Sequence, residues 1–351
     1  MRSVARTYGP WIFDGEEFVE GGFSVEGGKV VEVFTPHPGE IKKTRIVFPL
    51  LANAHTHLGD AFIRKVPKGT VEDIVAPPSG YKFRMLAKAS PKRVESGMAR
   101  AVAEMARTGT CAFADFREGG AEGAAALKRA AKRRGVTPTI LGRPAGLNLD
   151  KTEVANLLKV ADGIGLSSIS EWKRDDLLAI SEMARRARKP FAIHASERAR
   201  EPFGRVAELK PAFVVHMAKA SGRDMSECAE AGIPVVVCPR SNAFFGFEPH
   251  VRRMLDAGIE VALGTDNAML SRPDLVAEAR FLAKAQKSLT QDEILRIAIS
   301  APRKVLNLEP GLRIKKGHAA EFASLPCGRG DPARAFVAPG MPTVVRGAGG
   351  G

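Results

Sequence analysis

The chain has 351 residues, enough for one α/β barrel of roughly 250 residues and a smaller appendage. With 44% hydrophobic and 26% charged residues it has the composition of a globular protein with a core, which excludes a disordered or fibrous chain. The net charge of +14 comes from Lys and Arg spread along helical stretches with few interleaved aromatics, so a solvated basic surface is expected and a nucleic-acid partner is not.

At the start, MRSVARTYGPWIFDGEEF lacks an apolar stretch of the signal-peptide kind. No later segment approaches the ~18 apolar residues that a bilayer span needs. The expected location is therefore cytoplasmic, without a membrane partner. Short β-type runs broken by glycines fill the first segment (GGFSVEGGKVVEVF), and PGLRIKKGHAAEFASLP late in the chain has the same texture. The two ends are expected to meet in a small β-sandwich domain made of residues 1–47 plus 308–351. The closing GMPTVVRGAGGG is expected to fray.

Between 48 and 307, short continuous apolar runs alternate with helical stretches, as strands buried on both faces would. The runs are VFPLLANA (47–54), CAFADF (111–116), TPTILG (137–142), DGIGLSS (162–168), PFAIHA (190–195), AFVVHM (212–217), PVVVCP (234–239) and EVALGTD (260–266). Eight such runs predict a (β/α)8 TIM-type barrel over residues 48–307. Helical spacing of Val94, Met98, Val102 and Met105 leads to a stop at Thr108-Gly109, and Thr290 with Glu293 forms a capping box before ILRIAI. Cys111, Cys228, Cys238 and Cys327 are scattered, so neither a disulfide framework nor a zinc knuckle is expected.

Barrel enzymes keep their chemistry at the C-terminal ends of the strands. Four of the eight runs carry metal-compatible side chains there. His55 and His57 end the first, and residues i and i+2 of a strand point the same way. His194 ends the fifth, His216 the sixth and Asp266 the eighth, so the barrel gathers them over one mouth. His37, His250 and His318 lie away from such ends and are assigned to surface or loops. Arg240 and Asn242 follow the seventh run, where they are candidate substrate contacts. Arg117 and Glu118 follow the second, as lining residues or a simple salt bridge. The segment with Asp60 and RKVPKGTVEDIVAPP is long enough to act as a lid.

His55-Thr-His57, His194-Ala-Ser-Glu197, His216, Cys238-Pro-Arg-Ser-Asn242 and Gly264-Thr-Asp266 occur in an order that resembles the amidohydrolase superfamily. The similar branch contains cytosine, guanine and adenosine-type deaminases and triazine chlorohydrolases, and the likeness covers essentially the whole chain. It implies His55, His57, His194 and Asp266 as ligands of one divalent ion, with His216 near the activated water or the substrate. Two-metal members carry a bridging lysine on the fourth strand, where this chain has serines, with Lys173 further on. Zinc is the first choice of ion and ferrous iron the alternative.

In the implied chemistry, the ion activates a water and Asp266 accepts its proton. Glu197 either shuttles protons in the manner of the deaminases or pairs at the surface with Arg198 or Arg200. The expected reaction is hydrolytic deamination of an amino-substituted heterocycle of purine, pyrimidine or pterin type. Opening of a cyclic amide or displacement of chloride is the alternative on the same site, and a non-catalytic nucleic-acid binder the remote one. A homodimer is the default expectation for the assembly.

Overall fold

The computed structural model describes residues 5–35, 44–328 and 330–347; His37 and the final glycines lie outside the described residues. Leu51–His57, Thr110–Arg117, Thr137–Gly142, Gly163–Leu166, Phe191–Ala195, Phe213–His216 and Val235–Val237 lie side by side in chain order as a parallel sheet. The eighth expected strand is split. Val261–Leu263 pairs with Val235–Val237, whereas Asp266–Asn267 pairs with the first strand at Thr56 and His57. Only Gly264 and Thr265 separate the two pieces, so the strand order returns to its start as a TIM-type barrel requires.

Inside this ring, Ala54, Ala114, Phe116, Leu141, Ala192, Val215, Val236 and Ala262 form one buried cluster drawn from seven of the strands. The fourth strand contributes no side chain to it. A Cβ at Gly165 would stand 2.6 Å from the Phe116 ring, so the ring of the second strand fills the space that the fourth leaves.

Helices cover the outside with their apolar stripes turned inward. Pro91–Arg107 begins at Ser90, whose side chain accepts from Arg93 N, and buries Met98, Ala101, Val102 and Met105. It stops where the sequence said, at Thr108 before Gly109. The Thr290–Glu293 capping box also forms, ahead of Gln291–Leu295. That helix then widens into a π-turn over Arg296–Ser300, which packs on Val261–Leu263.

The expected strand 47–54 is two strands. Arg45–Phe48 pairs antiparallel with Phe322–Pro326, near the other end of the chain, and Leu51–His57 enters the barrel after a break at Pro49-Leu50. Proline has no N–H to donate, which ends the first ladder there. The early and late strands make a five-stranded and a three-stranded sheet. Tyr8 and Phe23 from one sheet meet Phe322 from the other, with ring centroids 4.7 to 5.7 Å apart. No described helix is long and apolar enough to cross a membrane. The four cysteines are free.

Candidate metal centre

The first strand is locked at its C-terminal end. Thr56 Oγ1 donates to Ala114 O and to Asp115 Oδ2, both at 2.9 Å, and Leu58 N donates to Asp115 Oδ2 at 2.6 Å. Asn53 Nδ2 donates to Thr265 Oγ1 at 2.7 Å, and Thr265 N returns a bond to Asn53 Oδ1 at 3.1 Å. First and eighth strands are thus stitched directly beneath the histidines. They approach so closely that a Cβ on Gly264 would stand 2.7 Å from that of His55.

This scaffold gathers His55, His57, His194 and Asp266, with one ligand atom from each inside a 4.8 Å sphere of mutual distances. His57 Nδ1 lies 3.0 Å from Phe116 O and His194 Nδ1 2.8 Å from Leu166 O. Carbonyls only accept, so both rings carry their hydrogen on Nδ1 and present a bare Nε2. The two Nε2 atoms face each other at 3.3 Å, with Asp266 Oδ1 3.6 Å from that of His57 and 3.4 Å from His55 Nε2. Neither ring nitrogen of His55 has a hydrogen-bond partner, although the residue is fully buried. Acceptors converging without donors are what a cation resolves, and the residues present fit a divalent ion.

Protonation agrees with that fit. Burial first and Lys82 second pull His57 down to about 3, and burial likewise holds His55 and His194 below the ordinary histidine value. Burial alone would push the Asp266 carboxyl up, yet His55 and His216 outweigh it and hold it well below the carboxylate range. Neutral imidazoles beside an ionised carboxylate are the ligand forms. Ser241 Oγ steadies the carboxylate by donating to Asp266 Oδ2 at 2.5 Å.

Beside the four stands a second group that shares Asp266 and adds His216 and Glu197. His216 Nε2 is 3.6 Å from Glu197 Oε1, while Asn242 Nδ2 lies 3.2 Å from His216 Nδ1. With that amide donating, His216 directs its own hydrogen at the glutamate. Burial raises the Glu197 carboxyl, His216 opposes the shift and Asp266 adds to it. His216 and Asp266 hold left-handed backbones, φ +76° and +58°, strain that a folded barrel retains at a working site.

A cavity of about 330 Å³ opens onto this group. Val71, Val75 and Pro77, from the segment after the first strand, line it. The helix Val71–Ile74 is held by a Thr70–Asp73 capping box and by Glu72, which accepts from Arg198 Nη1 at 2.7 Å. Asp60, grouped with the lid in the sequence, is buried instead and accepts from Asn267 Nδ2 and Met269 N.

The four candidate substrate contacts are engaged within the protein, Arg117 and Glu118 in the salt bridge that was their other expected role. Arg240 is held by the buried Glu278, its Nε 2.5 Å from Oε2, and its Nη2 donates to the carbonyls of Arg272 and Asp274. Arg117 and Glu118 pair with each other at 2.5 Å, and Glu118 also meets Lys82 and His57 Nδ1. They stand behind a candidate ligand and do not line the cavity. Asn242 touches His216 and is fully buried. His250 and His318 are exposed, as expected, and Lys173 is exposed at the start of the helix Arg174–Arg186.

Sequence reasoning missed Asp115, Lys82, Arg143 and Glu171, the last three of which line the cavity. Arg143 directly follows the third strand, so the same strand-end rule finds it. Lys82 comes from the helix Tyr81–Lys88 and carries no comparable signal.

A sequence model described as the amidohydrolase family matches residues 46–345. An uncharacterized protein of Methanocaldococcus jannaschii is 33% identical over 88% of this chain and 87% of its own length. A 5-methylthioadenosine/S-adenosylhomocysteine deaminase of Syntrophobacter fumaroxidans is 28% identical over 89% of this chain and 80% of its own. Among solved structures, the zinc complex of atrazine chlorohydrolase from Arthrobacter aurescens superposes with a TM-score of 0.73 at 20% identity, covering 95% of this chain and 89% of that one.

Proposed function

This chain belongs to the amidohydrolase family, and from that premise we propose that it is a metal-dependent hydrolase that deaminates an amino-substituted heterocycle of purine, pyrimidine or pterin type. The observation that carries the reading is the pairing of four convergent acceptors with an adjacent Glu197–His216 couple at the cavity. A relative named as a deaminase supports it.

His55, His57, His194 and Asp266 would hold a single divalent ion, zinc first, which supplies the Lewis acidity that makes water nucleophilic near neutral pH. Glu197 takes a proton from the attacking water and gives it to the ring nitrogen or the departing amine. Its raised carboxyl suits both directions of transfer. His216 orients that carboxylate and faces the substrate, and Asp266 holds a proton in passing. The lid residues Val71, Val75 and Pro77 exclude bulk water from the cavity. We assign residues 48–307 to this barrel and residues 1–47 plus 308–351 to a β-sandwich domain, supported by the shared Tyr8–Phe23–Phe322 core.

The test is ammonia release by the metal-loaded protein over a panel of amino-purines, amino-pyrimidines and pterins. Glu197→Gln should lower kcat by about 10²- to 10⁴-fold with bound metal unchanged. Opening of lactams without ammonia from any amino-heterocycle would refute the deaminase reading.

A further inference from the structure

The run that replaces the bridging lysine, Ser167-Ser168-Ile169-Ser170-Glu171, is not used by the chemistry above. Glu171 ends the single turn Ile169–Glu171 and lines the cavity. Its Oε2 is buried, and its carboxylate has no hydrogen-bond or ion-pair partner among the described residues. Arg143 also lines the cavity and is only 6% exposed. Its Nε is buried without a partner, and its guanidinium is in no ion pair among the described residues.

Other charged side chains on this wall are engaged: Lys82 by Glu118, Arg198 by Glu72, Arg200 by Asp224. Burial pulls the Arg143 guanidinium down, Glu118 and then Glu171 offset part of that from a distance, and neither carboxylate meets it. A polar atom held out of water without a partner is unfavourable, and a cavity lined by one unpartnered guanidinium and one unpartnered carboxylate oxygen leaves both to be satisfied by what enters it.

We propose that Arg143 and Glu171 together bind the non-reacting end of the substrate, and that this end is dipolar. It presents an anion or acceptor to the guanidinium and a cation or donor to the carboxylate. A purely anionic end would satisfy Arg143 while repelling Glu171, and an apolar end would leave both unsatisfied. The inference rests on the deaminase reading for the reacting end and adds the selectivity at the other.

The first arm of the test needs no ligand. Thermal unfolding of the metal-loaded Arg143→Met/Glu171→Gln double variant should show a midpoint equal to or above that of the parent, because neither side chain has a protein partner to lose. A fall of several degrees would mean that the pair holds the fold together, and would overturn the proposal.

The second arm measures calorimetric binding of adenine and cytosine alkylated on a ring nitrogen with an ethyl, a carboxyethyl or a 2-amino-2-carboxyethyl arm. The amino-acid arm should bind about tenfold or more tighter than the other two. Glu171→Gln should erase its advantage over the carboxyethyl arm, and Arg143→Met should weaken both acids. Tightest binding by the ethyl or carboxyethyl probe, or no binding by any, overturns the proposal. Ammonia is read in the same samples. Release without this ranking sinks the dipolar inference and keeps the deaminase reading, whereas the ranking without ammonia does the reverse.

Discussion

His57 Nε2 and His194 Nε2 face each other at 3.3 Å, each with the hydrogen of its other nitrogen committed to a main-chain carbonyl. Two lone pairs so placed repel unless a cation lies between them. Chelation should therefore lower the thermal midpoint, and resupplied zinc should restore it. The gain is about 2.7 kcal/mol when free metal exceeds Kd a hundredfold. Elemental analysis should find one ion per chain, absent from His55→Ala/Asp266→Ala. A midpoint indifferent to metal would refute the assignment.

Ser241 offers a gentler perturbation of the same centre. Its Oγ donates to Asp266 Oδ2 at 2.5 Å, so Ser241→Ala frees one carboxylate oxygen without touching a ligand. Metal affinity, measured against a chromophoric chelator, should fall about 10- to 100-fold. Folding stability should drop by only about 1 kcal/mol. Unchanged affinity would mean that the bond does not orient the ligand.

Arg240→Ala separates a structural role from substrate binding. Glu278 is fully buried and accepts two hydrogen bonds from Arg240, at its main-chain N and its Nε, so truncation leaves a buried carboxylate without its guanidinium partner. Urea unfolding should show a loss of about 3–5 kcal/mol. Joint replacement with Glu278→Gln should recover part of it. Full stability with a raised KM would return Arg240 to the substrate.

Acid dependence follows from Asp224, whose carboxylate closes the capping box of Gly222–Glu230 and accepts from Arg200 and Phe203 N. Burial pushes this carboxyl up, but those hydrogen bonds prevail and hold it below its ordinary value. A lowered carboxyl stabilises the fold above its unfolded pKa of about 3.9, and the gain fades as pH falls toward the folded value. Asp224→Asn should therefore cost about 2 kcal/mol at pH 7, and its unfolding curve should approach the parent's below about pH 4. A constant difference across that range would rule out the ionic contribution.

The barrel strands were legible because a strand buried on both faces leaves a continuous apolar run, and Thr137–Gly142 matches its run residue for residue. The four acceptors were legible because strand ends converge by topology. Position at the mouth does not say which way a long side chain turns, however, and Arg240 is taken by a glutamate 38 residues later. Glu171 was passed over because a turn of three residues has no periodicity to place it. At Pro49 the apolar run continues across a change of sheet, which hydrophobicity alone cannot mark.

The stitch between Asn53 and Thr265 spans 212 residues of sequence. During synthesis, His55 and His57 leave the ribosome long before Asp266 is made, and until then they are two histidines on an open edge. The ion's binding place is completed by the same contact that brings the last strand back to the first. Metal loading is thus a report that the whole ring has been translated and joined, and a chain cut short anywhere before Gly264 has no complete site to load.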